Sequence, residues 1–305
     1  MELNFKIKDN SDALFKLRQE KLTYFKKKGF PNKRQEEWKF TDLEKILEDN
    51  FKELNNEKLN IKNPKNLNLG FDHNSIILIN GKLDSFDFKF ENFDDKNYIP
   101  IKELELNHHL NFANDLKENS MQNLNTALHE GGFCLNINSE YKFKYPIIIF
   151  NYFSGDLKNK IINNSEVINL SKNSSATVLE YLIDETSGFF FKNTFKYLNI
   201  QDGASLNYYF INKNESKSFL YEFSKVKLSA HSNFKKYIFS SGIKFNKSES
   251  NIELNGLNSC SEVYSGLFLN ENNHQEIKTN IYHLKPSCQS RQDIKNVLTA
   301  GSKGI

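Results

Sequence analysis

Cysteine is scarce in this chain: three residues, Cys134, Cys260 and Cys288, far apart and odd in number. A disulfide framework is therefore not expected, and a reducing, cytoplasmic compartment fits best. Proline (5), methionine (2) and tryptophan (1) are also rare. No run approaches the roughly 20 apolar residues that cross a bilayer. The opening Met1-Glu2-Leu3-Asn4-Phe5-Lys6 lacks an apolar h-region and a cleavage site, so no secretory signal is expected. Charge of one sign is lacking too, with 41 basic and 38 acidic residues leaving a net +3. That balance keeps a surface soluble and is no nucleic-acid footprint, so neither nucleic acid nor membrane is an expected partner. There is no Gly-x-x-x-x-Gly-Lys-Ser/Thr loop for a nucleotide, no Cys-x-x-Cys for a zinc ribbon or cluster, and no Gly-x-Ser-x-Gly elbow.

Aromatics, by contrast, are plentiful, with 27 Phe and 13 Tyr, enough for a large core. Four tyrosines recur at steps of 28, 28 and 27: Tyr181, Tyr209, Tyr237 and Tyr264. A second ladder, Ile168/Leu170, Leu198/Ile200, Val226/Leu228 and Ile252/Leu254, reads apolar-x-apolar. Apolar positions two apart mark a strand with one buried face. Strands repeating at a fixed period mark coils that stack, because one repeat alone cannot bury its inward face. The expected architecture is mainly β: a right-handed parallel β-helix, with tyrosine and aliphatic rungs lining its inside. Asn173-Ser174-Ser175, Asp202-Gly203, Ser241-Gly242 and Asn255-Gly256 supply its turns.

Ahead of the solenoid lies a small, largely helical α/β region. Residues 11–28 read as a helix capped by Ser11 or Asp12, with Leu14, Leu17, Leu22 and Phe25 on one stripe and Gly29 and Pro31 ending it. Residues 41–52 read as a second helix, with Thr41 as cap and Glu44 completing a capping box. Residues 55–70 read as loop, and 75–82 as a strand turning at Asn80-Gly81. Residues 101–129 follow a helical pattern, while 133–137 and 146–150 read as strands. The domains expected are 1–125, helical and mixed, and 126–305, the β-helix core.

No catalytic or cofactor-binding residue stands out. His283 and Cys288, five apart, are the only candidates for an iron or sulfur ligand, set against packing roles for both. Two ligands make an incomplete metal site. Cys134 and Cys260 read as core, His108-His109 and Lys26-Lys27-Lys28 as solvated helix faces, and His129-Glu130 as a helix end. Trp38 reads as the anchor of the small domain, with a partner hot spot as the other reading.

Three segments together resemble the SufD branch of the SufB/SufD family of the SUF iron–sulfur cluster assembly system. The first is Gly29-Phe30-Pro31 followed by Glu37-Trp38-Lys39-Phe40-Thr41-Asp42. The second is Asn125-Thr126-Ala127-Leu128 with Gly131-Gly132 and Tyr145-Pro146-Ile147. The third runs from Ser265-Gly266-Leu267 through His283, Pro286, Cys288, Ser290, Gln292 and Lys295 to Val297-Leu298. The third is similar to both SufB and SufD, and the Glu-Trp-Lys-Phe-Thr-Asp segment tilts the resemblance to SufD.

The resemblance implies a scaffold subunit, not an enzyme, that pairs with a SufB-like subunit, recruits a SufC-like ATPase and supports iron delivery. It implies no stably bound cofactor, only transient contact with iron or a cluster. Family members continue past the point corresponding to Ile305 into further coils, a histidine at the SufB interface and SufC-docking helices. The chain is thus expected to be C-terminally truncated and poorly soluble alone. The alternatives are a β-helix polysaccharide lyase or hydrolase, and a purely structural solenoid. Against the lyase, Asp156, Asp184, Asp202 and Asp293 are isolated.

Overall fold

The computed structural model describes residues 1–7, 12–57, 64, 67, 69–93, 100–106, 110, 119–213, 215–270, 273–299 and 301–305. About 54% of the chain is strand, with a β-solenoid of about 6 turns in the C-terminal part and a small N-terminal region carrying three helices.

Two eight-stranded sheets wall the column. One has the order β18 (Lys303–Gly304), β16 (His274–His283), β14 (Ile243–Leu254), β12 (Ser216–Leu228), β10 (Phe190–Ile200), β8 (Ile161–Leu170), β6 (Gly132–Ile137) and β5 (Ile101–Glu103). The other has the order β17 (Gln289–Leu298), β15 (Cys260–Leu269), β13 (Asn233–Ser241), β11 (Ser205–Asn212), β9 (Ser175–Thr186), β7 (Ile147–Gly155), β3 (Asn74–Ile79) and β4 (Lys82–Asp87). The chain alternates between them, so each coil lays one strand on each wall. Pairing from coil to coil is parallel. Among the described residues, only the β3–β4 and β5–β6 pairs are antiparallel. The β3–β4 hairpin turns at Asn80 and Gly81 with φ of 50° and 82°, the left-handed pair that an Asn-Gly turn supplies. A short parallel ribbon joins β1 (Glu2–Asn4) to β2 (Glu53–Asn55).

The aliphatic ladder lines the interior as expected. Ile168, Leu198, Val226 and Ile252 stand in one row, and Leu170, Ile200, Leu228 and Leu254 in another. All eight are buried. Each contributes about 1.5–3 kcal/mol through burial, and a one-residue slip would turn a whole row outward.

The tyrosine ladder does not line the interior. Tyr209, Tyr237 and Tyr264 lie half-buried on the outer face, stacked at 4.5 and 5.1 Å, while Tyr208 and Phe210 point in. Tyr181 is out of the row: Tyr209 faces Leu179, and Tyr181 faces Ile211. The coil from Ser175 to Ser205 is 30 residues long, so a step of 28 misses the register there. Aromatic residues on both faces of a strand carry no signal of which face is inside.

The N-terminal region packs on the outer face of the β16–β6 wall. Helix α1 (Asp12–Lys28) buries Leu22 and Phe25 and ends at Gly29, whose φ is 72°. Its expected cap Ser11 lies outside the described residues, as does the Asp12 side chain. Lys26, Lys27 and Lys28 are exposed at its C-terminus, where cations complement the helix dipole. Helix α2 (Leu43–Asn50) is capped by Asp42, not Thr41: the Asp42 carboxylate accepts from Lys45 N at 3.1 Å. Helix α3 spans Ser120–Leu128, and Ile101–Glu103 is strand, so the helical reading of 101–129 is corrected at its start. There, a β-branched residue pairs across to β6 and sheet pairing overrides the apolar spacing. His108 and His109 lie outside the described residues.

Candidate functional site on the late coils

The first motif segment folds onto the last coils. A 3-10 turn at Glu36–Trp38 drops the indole onto the outer face of β12 and β14, leaving Trp38 4% exposed. Its ring lies 5.3 Å from that of Tyr221, and Lys247 Nζ sits 4.4 Å over it. Glu37 pairs with Lys278. Thr41, freed from capping, donates its hydroxyl to the Glu276 carboxylate and lies 3.2 Å from His274 Nε2. Lys303 Nζ donates to the Phe40 carbonyl. Lys39 stays near the surface, paired with Glu36 at 2.7 Å.

This layer excludes water from charged groups. Lys247 is fully buried between Glu276 and Glu249, the latter at 3.1 Å. Burial raises the Glu249 carboxyl, while Tyr221 donates to it at 3.2 Å. Burial, with Lys303, Lys247 and Lys33 nearby, lowers His274 to about 4, so it is neutral at physiological pH.

The second segment is a joint. Asn125 in α3 donates to the carbonyls of Asn164 and Asn193 at 3.0 and 2.8 Å, tying the helix to β8 and β10. Arg18 donates to the Ala127 and His129 carbonyls at 3.0 and 3.1 Å, closing the C-terminus of α3. Gly132 has φ of 132°, and a Cβ there would fall 1.7 Å from Ser165 O.

The third segment forms the last coil. His283, Ser290 and Gln292 fall opposite Leu254, Ser261 and Val263, on inward rows. His283 Nε2 lies 2.9 Å from Ser290 Oγ. Lys295 faces outward, opposite Gly266. Cys288 is half-buried, with Sγ 3.3 Å from both Ser259 Oγ and the Gly256 carbonyl. The two candidate ligands thus engage different partners. Cys134 is buried, but Cys260 is half-buried in the outward row with Asn233 and Gln289, which corrects its core reading. Burial raises both of these thiols, which disfavours the thiolate. Among the described residues, no group of three or more His, Cys, Asp or Glu side chains could hold a metal ion.

A charged cluster inside the column escaped the sequence reading. Lys196 Nζ reaches Glu180, Glu222 at 2.6 Å, Glu166 at 3.6 Å and Tyr208 OH at 3.0 Å. Lys192 lies 3.9 Å from Glu166, and Lys236 lies 3.3 Å from Glu222. Burial opposes the Lys196 charge, but Glu166, Glu180 and Glu222 outweigh it and hold the ammonium well above its usual range. Burial likewise opposes the Glu222 charge, yet Lys196 and Lys236 keep that carboxylate below its usual range. Burial raises the Glu166 carboxyl and lowers the Lys192 ammonium, and Glu180, Glu222, Lys192 and Lys236 line a cavity of about 20 Å³, room for about one water. That closed arrangement fixes structure rather than admitting a substrate. Its signal in the sequence is parity: Glu180 is two residues from Val178, Lys196 two from Leu198, and Lys236 two from Phe234, all inward positions.

Residues 153–305 match a family described as SUF system FeS cluster assembly, SufBD core domain. Residues 4–82 match the SufBD protein N-terminal region. No curated protein matches the chain. No helix among the described residues is long and apolar enough to cross a membrane. With a coiled core preceded by its matching N-terminal region, over more than half its length, the chain belongs to the SufB/SufD family of the SUF iron–sulfur cluster assembly system.

Proposed function

We propose that this chain is a SufD-type scaffold subunit that pairs with a SufB-like subunit, works with a SufC-like ATPase and supports iron delivery without turnover chemistry of its own. The observation that carries this reading is the clasp of Glu37, Trp38 and Thr41 on Lys278, Lys247 and Glu276, the segment that resembles SufD rather than SufB. Pairing runs through the late coils. His283 and Ser290 lie there, and contact with iron is transient. The setting is the cytoplasm.

The test is co-expression of the protein with a SufB-like and a SufC-like subunit, followed by affinity purification. Co-purification with the SufB-like subunit, and gain of the ATPase in its presence, is expected. Self-association in place of the SufB-like subunit would assign the chain to the SufB role, and capture of neither subunit would end the reading.

A further inference from the structure

The N-terminal region is attached to the column by two unlike halves. One half is apolar: Phe30 meets Phe191 at 6.0 Å, Phe51 meets Phe219 at 5.0 Å, and Leu43 and Leu47 are fully buried beside them. The other half, Glu36–Thr41, has one apolar anchor, the buried Trp38, and is otherwise attached by charge and hydrogen bonds. Its contacts are Glu37 with Lys278, Thr41 with Glu276 and His274, and the Phe40 carbonyl with Lys303. Trp38 packs on Tyr221 at 5.3 Å and under the cation of Lys247, while Phe40 stays about half exposed.

The floors differ in the same sense. Under α2 the floor is phenylalanine, which water opposes exposing. Under Glu36–Thr41 the charged and titratable groups are Lys247 and Glu249 on β14, His274, Glu276 and Lys278 on β16, Lys303 on β18 and Tyr221 on β12. Glu36 and Glu37 face them from the covering segment, and Lys33 from just before it. Buried charges lose hydration, and uncovering them returns it. A groove of about 800 Å³ runs alongside, lined by Trp38, Tyr24, Phe223 and Tyr282, so one flank of the indole borders open space.

We propose that Glu36–Thr41 is a strap that lifts as a unit while α1 and α2 stay seated, uncovering the Lys247–Glu276 face of the late coils. Gly29-Phe30-Pro31 bounds it on one side, where the φ of 72° at Gly29 sets the chain direction. Asp42, which caps α2, bounds it on the other. The uncovered face is a mixed-charge surface around Tyr221 and Phe245. The strap is thereby a gate on that face, whichever subunit role the chain fills.

Native-state hydrogen exchange of the whole chain in rising sub-denaturing urea tests this, together with acrylamide quenching of Trp38, the single tryptophan. The Trp38 and Thr41 amides, which donate to the Gln35 and Trp38 carbonyls, should exchange through an opening at least about tenfold more populated than that of β12 and β14. Trp38 should become quenchable before the β-structure melts. Lys278→Ala should raise the strap opening about 2–5-fold and Thr41→Val about tenfold or more, with β12 protection unchanged. Identical urea dependence for the strap, Trp38 and β12 in the wild-type chain would overturn the proposal, even if a variant fails to fold. Unchanged strap exchange in a folded Thr41→Val variant would do so as well.

Discussion

At its early end the column closes over, with β4 antiparallel to β3 and Phe88, Phe93, Tyr141 and Phe143 packed ring against ring, whereas at its late end β17 leaves Ile294 39% and Leu298 46% exposed. Ile76 and Leu78 on β3 occupy the same inward parity as Ile294 and Leu298 on β17, yet they are fully buried. A rung in a stacked column is therefore core only when a neighbour lies on each side of it. The early end stores its stability in shape and close approach. The late end holds polar residues, His283, Ser290 and Gln292, on the same rows.

That contrast can be broken most severely at the early joint. Gly132→Ala places a Cβ against Ser165 O and demands φ of 132° from alanine, and should cost about 4 kcal/mol or more, read as a fall in the urea midpoint. Lys196→Ala, in the interior between the ends, leaves Glu166, Glu180 and Glu222 without their shared cation and should cost about 3–5 kcal/mol. On the late coils, pH does the work. His274 has its folded pKa lowered to about 4 from 6.5, so the unfolded chain takes up the proton first as pH falls. Its contribution is complete above pH 6.5 and is lost progressively towards pH 4, by up to about 3 kcal/mol, and His274→Gln should flatten that part of the stability–pH profile. The smallest effects belong to the exposed end: Ile294→Ala should cost under about 0.5 kcal/mol, against about 2–5 kcal/mol for Ile76→Ala. Cys288→Ala should leave cluster assembly intact in a reconstituted system, and complete loss of assembly would show that this thiol acts in the chemistry.

Much of the column was legible because Ile168, Leu198, Val226 and Ile252 alternate with polar neighbours at a nearly fixed period, which only stacking satisfies. The Asn80-Gly81 hairpin and α1 were legible for local reasons of backbone angle and helical spacing. The outward tyrosines were not, since Tyr208 and Tyr209 give adjacent aromatics with opposite destinations. Nor was Thr41, whose spacing to Glu44 satisfies a capping box while its hydroxyl is claimed by Glu276, 235 residues away. The interior ion cluster was hidden because charged residues usually mark a solvated face, and parity alone points them inward.

The coils from Ser175 to Ser205, Asn233, Cys260 and Gln289 are 30, 28, 27 and 29 residues long, yet their rungs stay aligned. On this wall the slack is taken up at the corners, while on the other a bulge between Ser216 and Phe219 absorbs one residue. Insertions of one to three residues between β11 and β12, or between β15 and β16, should leave the walls undisturbed. A single deletion inside any strand would turn the rest of that rung inside out, so variation in chain length should collect at the bends.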